Sequence, residues 1–425
     1  MSELPISQVA EINPRSYPPN GLKLSDPVSF IPMADVSESG AWIGHKRGPL
    51  IAAAGGYTNF QEGDVLLAKI TPCLENGKGT HAVGLWNGYG YGSTEFHVLR
   101  AKGSVLARYL FHVTQHEKFR VKAEMQMTGT AGQRRVPTDF FDRYCAYVPS
   151  KAEQSKIAEI LDTLDAAIRG TEAVVAKLKA MKQGLLNDLL TRGIDANGDL
   201  RPPQPEAPHL YKQTPLGWLP KEWAFSSVGD TLAEPTRNGL YKPAAYHGRG
   251  PLMVQMGCLF SDERVNFSGA TRVSVSPMEL NYFGLQNGDL LFARRSLVFE
   301  GAGLCAIVKN LPEASTFESS IIRLRLTTSK ILSDFAGLFF RGFASSSQRR
   351  TLIRQVAVSG VTSGDIKSLY LPLPDLVEQG EIIQRYSAIN HTIHGEDELL
   401  AKLRLQKSGL MDDLLTGRTP VTALL

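Results

Sequence analysis

Two stretches of the chain carry apolar residues at a seven-residue spacing. In the first, Ile157, Leu164, Thr171, Leu178 and Leu185 form one row, with Leu161, Ile168, Val175, Lys182 and Leu189 as its companion. In the second, Ile382, Ile389, Glu396, Leu403 and Leu410 run beside Tyr386, Ile393, Leu400, Lys407 and Leu414. Two interleaved rows of this kind, flanked by charge, are the pattern of a helix that buries one narrow seam against another helix. Each stretch predicts a helix of about 40 residues, about 60 Å long at 1.5 Å per residue. A one-sided seam on an isolated helix would stand in water, and the available partner of matching length is the other copy. The two stretches therefore predict an antiparallel pair through Ile157, Leu164, Leu178 and Leu185 on one side and Ile382, Ile389, Leu403 and Leu410 on the other. Val174, Leu186, Leu399 and Met411 widen the stripe beyond a two-helix seam. The extra width calls for a further cover, either the chain's own globular parts or helices of another subunit.

Outside these stretches the pattern shortens to β-type runs such as DVLLAKI (Asp64 to Ile70), DLLFARR (Asp289 to Arg295) and IIRLRL (Ile321 to Leu326), separated by Gly- and Asn-containing turns. The chain also repeats itself. Glu153-Gln154, Lys182, Gly184-Leu185 and Asp188-Leu189-Leu190-Thr191 recur without a gap as Glu378-Gln379, Lys407, Gly409-Leu410 and Asp413-Leu414-Leu415-Thr416, an offset of 225 residues from Glu153 to Glu378. FQEGDVLLAK (Phe60 to Lys69) meets LQNGDLLFAR (Leu285 to Arg294) at the same offset, and Pro149 meets Pro374. A repeat decides architecture before any motif does. The fold expected is α+β: two mixed α/β domains separated by two long helices that pair as an antiparallel coiled coil, with an internal pseudo-twofold repeat. The segments are a first domain over 1–149, a first helix over 150–193, a proline-rich linker over 194–222, a second domain over 223–374 and a second helix over 375–417. Gly193 and Pro202-Pro203 mark the first helix stop.

With 425 residues, 43% hydrophobic and 21% charged, the chain is an ordinary globular protein of several folded units, which excludes collagen-like and wholly disordered classes. Cys73, Cys145, Cys258 and Cys305 form no CxxC pair, so buried reduced thiols are expected rather than a zinc ribbon or a disulfide framework. No apolar run reaches about 18 residues, and the N-terminus lacks the basic and apolar regions of a signal peptide; a cytoplasmic protein with no membrane partner is expected. The net charge of +4 permits a nucleic-acid partner without requiring one. Its distribution says more. No acid occurs from Phe335 through Gly364, a span containing Arg341, Arg349, Arg350 and Arg354. MTGTAGQRRVPT carries Arg134 and Arg135, and the acid-free span from Gly40 to Gln61 carries Lys46 and Arg47. Lys69, Lys78, Arg294 and Arg295 stand at the ends of β-type runs and in the NGKG turn. Arginine amid Gly, Ser and Thr suits phosphate contacts and bidentate bonds to base edges, so these ten residues, Lys46, Arg47, Lys69, Lys78, Arg134, Arg135, Arg294, Arg295, Arg349 and Arg350, are the candidate DNA contacts.

Catalytic patterns fail. Phe299-Glu300-Gly301-Ala302-Gly303 fits an F-x-G-x-G cofactor loop, but an amino-methyltransferase also needs an Asn- or Asp-Pro-Pro-aromatic segment, which is absent. Glu300 falls at the repeat offset from Glu75, so the loop reads as a repeat feature. No Walker A, HExxH or G-x-S-x-G occurs, and Pro374-Asp375 lacks a downstream Glu-x-Lys. His112 and His116, four apart, are read as core or surface histidines; no catalytic, cofactor or metal residue is assigned.

Taken together, Glu-Gln at 153/154 and 378/379 after Pro-containing strand ends, Ile157-Ala158-Glu159-Ile160-Leu161, the Gly-Leu/Met-Asp-Leu-Leu-Thr helix endings and Gly-Asp-hydrophobic at 63 to 66 and 288 to 291 resemble the specificity subunit of type I restriction-modification systems, over the whole chain. Tyr386 departs from the Leu of the first copy, and Met127 to Thr130 and Val358 to Val361 match the family's Ser-Gly-Thr loop loosely. The resemblance implies a subunit that is not an enzyme on its own. Each globular domain would be a target recognition domain reading half of a bipartite double-stranded DNA sequence, with the helices setting the distance. It implies as partners two methyltransferase subunits that modify adenine N6 and endonuclease-translocase subunits, with S-adenosylmethionine, ATP and Mg in those partners and no cofactor in this chain. The competing expectations are a single-chain DNA methyltransferase or restriction-modification enzyme with an atypical catalytic motif, and a coiled-coil scaffold, which would not need two divergent basic domains.

Overall fold

The computed structural model describes residues 2–130, 132–260, 263–355 and 359–424; Val358 and the Arg354 side chain lie outside the described residues. The chain divides into two compact units, Met1–Val174 with Glu396–Leu425, and Val175–Gly395. Among the described residues no helix is long and apolar enough to cross a membrane.

The two units follow one plan. In the first, Ala10–Ile12, Phe96–Ala101, Val65–Ala68 and Gly79–His81 form an antiparallel sheet in that order. A second sheet orders Lys46–Pro49, Pro27–Ile31, Tyr89–Gly92 and Thr58–Gln61, with Pro27–Ile31 and Tyr89–Gly92 parallel. The second unit repeats the first sheet as Arg237–Asn238, Ile321–Leu324, Leu290–Ala293 and Cys305–Ile307, and the second as Thr271–Val273, His247–Val254 and Ser315–Phe317, the last two again parallel. Each unit also pairs an early strand with the strand leading into a long helix, Ser2–Pro5 with Cys145–Val148 and Ala224–Ser227 with Tyr370–Leu373. The linker is an ordered structure, with a hairpin of Tyr211–Thr214 and Gly217–Pro220.

The long helices are Lys151–Thr191 and Leu376–Leu414. Within the first unit Arg404 donates to Glu172 at 2.7 Å and Lys407 pairs with Asp165, so numbers rise on one helix as they fall on the other: the pairing is antiparallel. In the second unit Lys182 lies 5.0 Å from the ring centre of Tyr386, and both reach Glu263. That contact gives Tyr386 a hydroxyl-specific task where the first copy has Leu161.

The most buried row is the companion one: Leu161, Ile168, Val175 and Leu189 on the first helix and Tyr386, Ile393, Leu400 and Leu414 on the second. Ile157 and Ile382 are buried too, whereas Leu164, Leu178, Leu185, Ile389, Leu403 and Leu410 are half-buried. At the helix ends the globular parts supply the cover. In the first unit Ile157, Leu161, Met411, Leu414 and Leu415 join a core with Leu67, Leu99, Tyr109 and Phe140. In the second, Leu186, Leu189, Leu190, Ile382 and Tyr386 join Phe292, Ile322, Phe335 and Phe339. Each globular part is thus braced by the start of the helix that follows it and the end of the other helix. That accounts for the widened stripe at both helix ends.

The repeated motifs secure these junctions. Gln154 is buried, donates to the carbonyls of Ser104 (3.0 Å) and Pro149 (2.9 Å) and accepts from the amide of Leu106 (2.8 Å). Gln379 repeats the arrangement with Lys330 (3.2 Å), Pro374 (2.9 Å) and Leu332 (2.8 Å). A buried primary amide that is fully bonded orients the helix start on the domain before it. The Gly-Asp motif is a second such device. Asp64 accepts the Gln61 amide (2.9 Å) and both arms of Arg100 (2.8 and 2.7 Å); Asp289 accepts the Gln286 amide (2.8 Å) and both arms of Arg325 (2.7 and 2.8 Å). Bidentate guanidinium–carboxylate pairs with a buried acid fix geometry strongly.

The Glu partners differ. Glu153 is a helix-start cap, accepting from the Ser150 amide at 3.0 Å. Glu378 is buried and accepts from the Ile194 amide (2.7 Å), Arg201 (2.6 and 3.2 Å) and the Trp223 indole (2.9 Å), tying the linker to the second helix. Gly193 ends the first helix at φ +66, and a Cβ there would lie 2.3 Å from both Glu378 and Trp223. Of the cysteines, Cys258 and Cys305 are buried, Cys73 is half-buried and Cys145 is exposed, correcting the expectation that all four are buried. Burial pushes the Cys305 thiol up to about 12.

Candidate nucleic-acid interface

At the end of the central strand of each first sheet, the chain runs into a small irregular ribbon. In the first unit Ile70 bridges Arg135, which bridges Thr128, while the Thr71 amide donates to the Arg134 carbonyl (3.0 Å) and the Val136 amide to the Lys69 carbonyl (2.9 Å). In the second unit Arg295–Ser296 pairs with Ser359–Gly360, which pairs with Arg354–Gln355, and the Val361 amide donates to the Arg294 carbonyl (3.0 Å). Lys69, Arg134 and Arg135, spread over 66 residues of sequence, are thereby brought together, and so are Arg294 and Arg295 with the segment entered from Arg349 and Arg350.

The cations are not equivalent. Arg135 is held by Glu95 through two bonds of 2.9 and 2.8 Å, and its hydrogen bonding keeps the Glu95 carboxyl below its ordinary range. Arg134 lies 3.7 Å from Glu75 and 3.8 Å from Glu124. Among the described residues Lys69, Arg294, Arg295 and Arg350 form no ion pair, and Arg295 and Arg350 are exposed. Arg349 is different: it is 8% exposed, its Nε has no hydrogen-bond partner among the described residues, and burial pulls its guanidinium below the usual value. The acid-free sequence placed Arg349 beside Arg350 as an equal, but on the helix Phe343–Leu352 they face opposite environments.

Three further candidates lie elsewhere in the first unit. Lys46 and Arg47 stand on the edge strand Lys46–Pro49 of the second sheet; Lys46 pairs with Asp35 at 3.0 Å and Arg47 lies 4.8 Å from the Trp86 ring centre. Lys78 donates to the Met33 carbonyl at 3.2 Å and points into its own domain.

His97, which sequence patterning gave no reason to choose, supports the first ribbon. It is buried, its Nε2 lies 2.8 Å from the Val136 carbonyl and its Nδ1 3.1 Å from the Asn13 amide nitrogen, so the neutral ring donates through Nε2 and accepts through Nδ1. Burial pulls its pKa down to about 4. A histidine whose folded pKa lies below its unfolded value of about 6.5 favours the unfolded chain as pH falls between those values. The resulting loss of stability, about 2 kcal/mol at pH 5 relative to pH 7, should be visible as a lower urea midpoint of the first unit and should shrink in His97→Gln.

The remaining sequence candidates resolve into structure. Phe299–Gly301 is one turn of 3-10 helix within a tight loop. His116 contacts Asp412 at 3.0 Å. His112, buried, contacts Asp162 at 2.7 Å, and donor atoms of His112, Asp162 and Asp165 lie within 4.8 Å of one another, a spacing a metal could use. Arg108 on Asp162 and Lys407 on Asp165 already balance those carboxylates, so the cluster reads as an ion-pair network.

A family model described as the type I restriction modification DNA specificity domain matches residues 5–180 and 276–405. The EcoAI type I restriction enzyme specificity subunit of Escherichia coli is 38% identical over 165 residues, 36% of this chain and 26% of the relative; the chain thus spans about a quarter of that protein. The EcoKI specificity subunit of Escherichia coli strain K12 is 28% identical over 298 residues, 68% of this chain and 59% of the relative. A chain from a solved structure described as the basis of complex assembly and conformational transition of the type I R-M system aligns over 98% of both chains with a TM-score of 0.58 at 15% identity, a likeness of fold.

Proposed function

Because the chain belongs to the family of type I restriction modification DNA specificity domains, we propose that it is the non-catalytic, sequence-specific DNA-binding subunit of a type I restriction-modification complex. Each globular domain reads one half of a bipartite duplex target, and the paired helices set the spacing between halves. Two methyltransferase subunits and the endonuclease-translocase subunits supply adenine N6 methylation and cleavage, with S-adenosylmethionine, ATP and Mg in those partners, in the cytoplasm. The observation that carries this reading is that two domains of one topology each place a basic ribbon at the same strand end, with divergent residues on a common scaffold. Two readers of different half-sites need that combination.

Selection from random duplexes by the full chain with its methyltransferase partner should return a two-part motif with a fixed gap; enrichment of one contiguous motif, or none, would overturn the reading. Phosphate contacts release counterions, with a log–log salt slope of about 0.9 per contact. Arg295→Ala with Arg350→Ala should therefore weaken binding and flatten that slope by about 2. Arg135→Ala should flatten it less, since Glu95 already holds that guanidinium. Equal slopes in all three proteins would remove Arg295 and Arg350 from the interface.

A further inference from the structure

Among large apolar side chains Leu297 is the most exposed of the described residues at 91%, and Val298 beside it is 62% exposed. They form the tip of the loop that leaves the second ribbon directly after Arg294 and Arg295. Hydrogen bonds close the loop at its base. Ser296 is buried at its base and its Oγ accepts the Val298 amide at 3.2 Å; the Gly301 amide donates to the Val298 carbonyl at 3.2 Å. A Cβ on Gly301 would lie 2.3 Å from the Ser296 Oγ, so glycine is what lets the loop close this tightly. Arg295 and Ser296 are paired with Gly360 and Ser359, which anchors the other side. The corresponding positions of the first unit carry Pro72 and Cys73, so the apolar tip is particular to the second domain.

We propose that Leu297 is a wedge that inserts between two stacked base pairs of the duplex read by the second domain, with Arg294 and Arg295 placed to take the flanking phosphates. This rests on the DNA-binding reading above. An exposed leucine on a preordered tip forgoes its burial in the free protein and regains it only against an apolar surface, and the partially opened face of a base step beside phosphates is such a surface. Neighbouring cations that have no acid partner among the described residues select duplex DNA over an apolar protein face, because an interface core between proteins is depleted in unpaired charge. The wedge also supplies selectivity without a hydrogen bond, since pyrimidine–purine steps open more easily than others.

The test uses the full chain assembled with its methyltransferase partner and duplexes carrying 2-aminopurine at successive positions of the selected target. The wild-type complex should brighten the probe at one step within or beside the second half-site. Leu297→Ala should abolish that signal and weaken binding about tenfold, while Leu297→Phe keeps both. Leu297 is a surface residue, so loss of folding does not confound the result. If wild type binds its target and Leu297→Ala matches it in affinity and fluorescence, the wedge is wrong while the DNA-binding reading stands; if wild type selects no duplex, that reading has failed first. If Leu297→Ala instead reduces assembly with the methyltransferase, the tip belongs to a protein interface and the proposal is overturned.

Discussion

Glu378→Ala is expected to destabilise the second unit by about 3–5 kcal/mol, the cost of removing one partner of a buried ion pair. Arg201 would keep only the exposed Glu222 carboxylate at 3.0 Å, and the Ile194 amide and the Trp223 indole would lose their acceptor. Glu378→Gln should fall between, because it retains an acceptor oxygen but not the charge. Glu153→Ala, at the same place in the repeat, should cost only about 1 kcal/mol, the value of a helix-start cap. Urea unfolding of the three variants, followed by tryptophan fluorescence, checks this. Equal losses at 153 and 378 would show that the buried network adds nothing to the cap.

That contrast shows what the sequence could and could not express. The long helices and their antiparallel partnership were readable because seven-residue spacing is a local signal, and the duplication because 225 residues separate matching letters without a gap. The offset even marked Gln154 and Gln379. Their task was not readable, since the groups they bond are backbone atoms of Ser104, Leu106, Lys330 and Leu332, whose position near a helix start is a tertiary fact. The same limit separated Glu153 from Glu378: identical in the repeat, one caps a helix and the other anchors a linker. Charge patterning located both basic ribbons because acid-free stretches are visible in one dimension. It could not rank their members. Glu95, distant in sequence, holds Arg135, and a single residue step around the helix separates buried Arg349 from exposed Arg350. At the helix ends Leu161, Leu189, Tyr386 and Leu414 are buried in the globular parts, a partner that heptad counting does not contain.

Exchange of residues 1–149 for the equivalent domain of a relative should change one half of the methylated sequence and leave the other half and the gap unaltered. The graft is structurally coherent. It carries both members of the strand pair Ser2–Pro5 and Cys145–Val148, and it ends before Gln154, whose bonds run to backbone groups that any domain of this plan presents. The junction it must preserve has an apolar and a polar part: Met411, Leu414 and Leu415 pack against the exchanged core, so the donor domain needs apolar residues of similar volume where Leu67, Tyr109 and Phe140 now stand, and partners for Asp162 and Asp412 where His112 and His116 now stand. On the proposed reading, base discrimination resides in side chains of the exchanged domain, about 1–3 kcal/mol for each bidentate contact. A half-site read through three such contacts is then rejected by on the order of a hundredfold or more after exchange. In the same reading the spacing is set by Lys151–Thr191 and Leu376–Leu414, which the graft leaves at their original lengths. Methylome sequencing of cells expressing the hybrid with its methyltransferase partner is the measurement. A change in both halves would mean that the domains do not read independently, and methylation persisting at the original full sequence would mean that base choice lies outside the first domain.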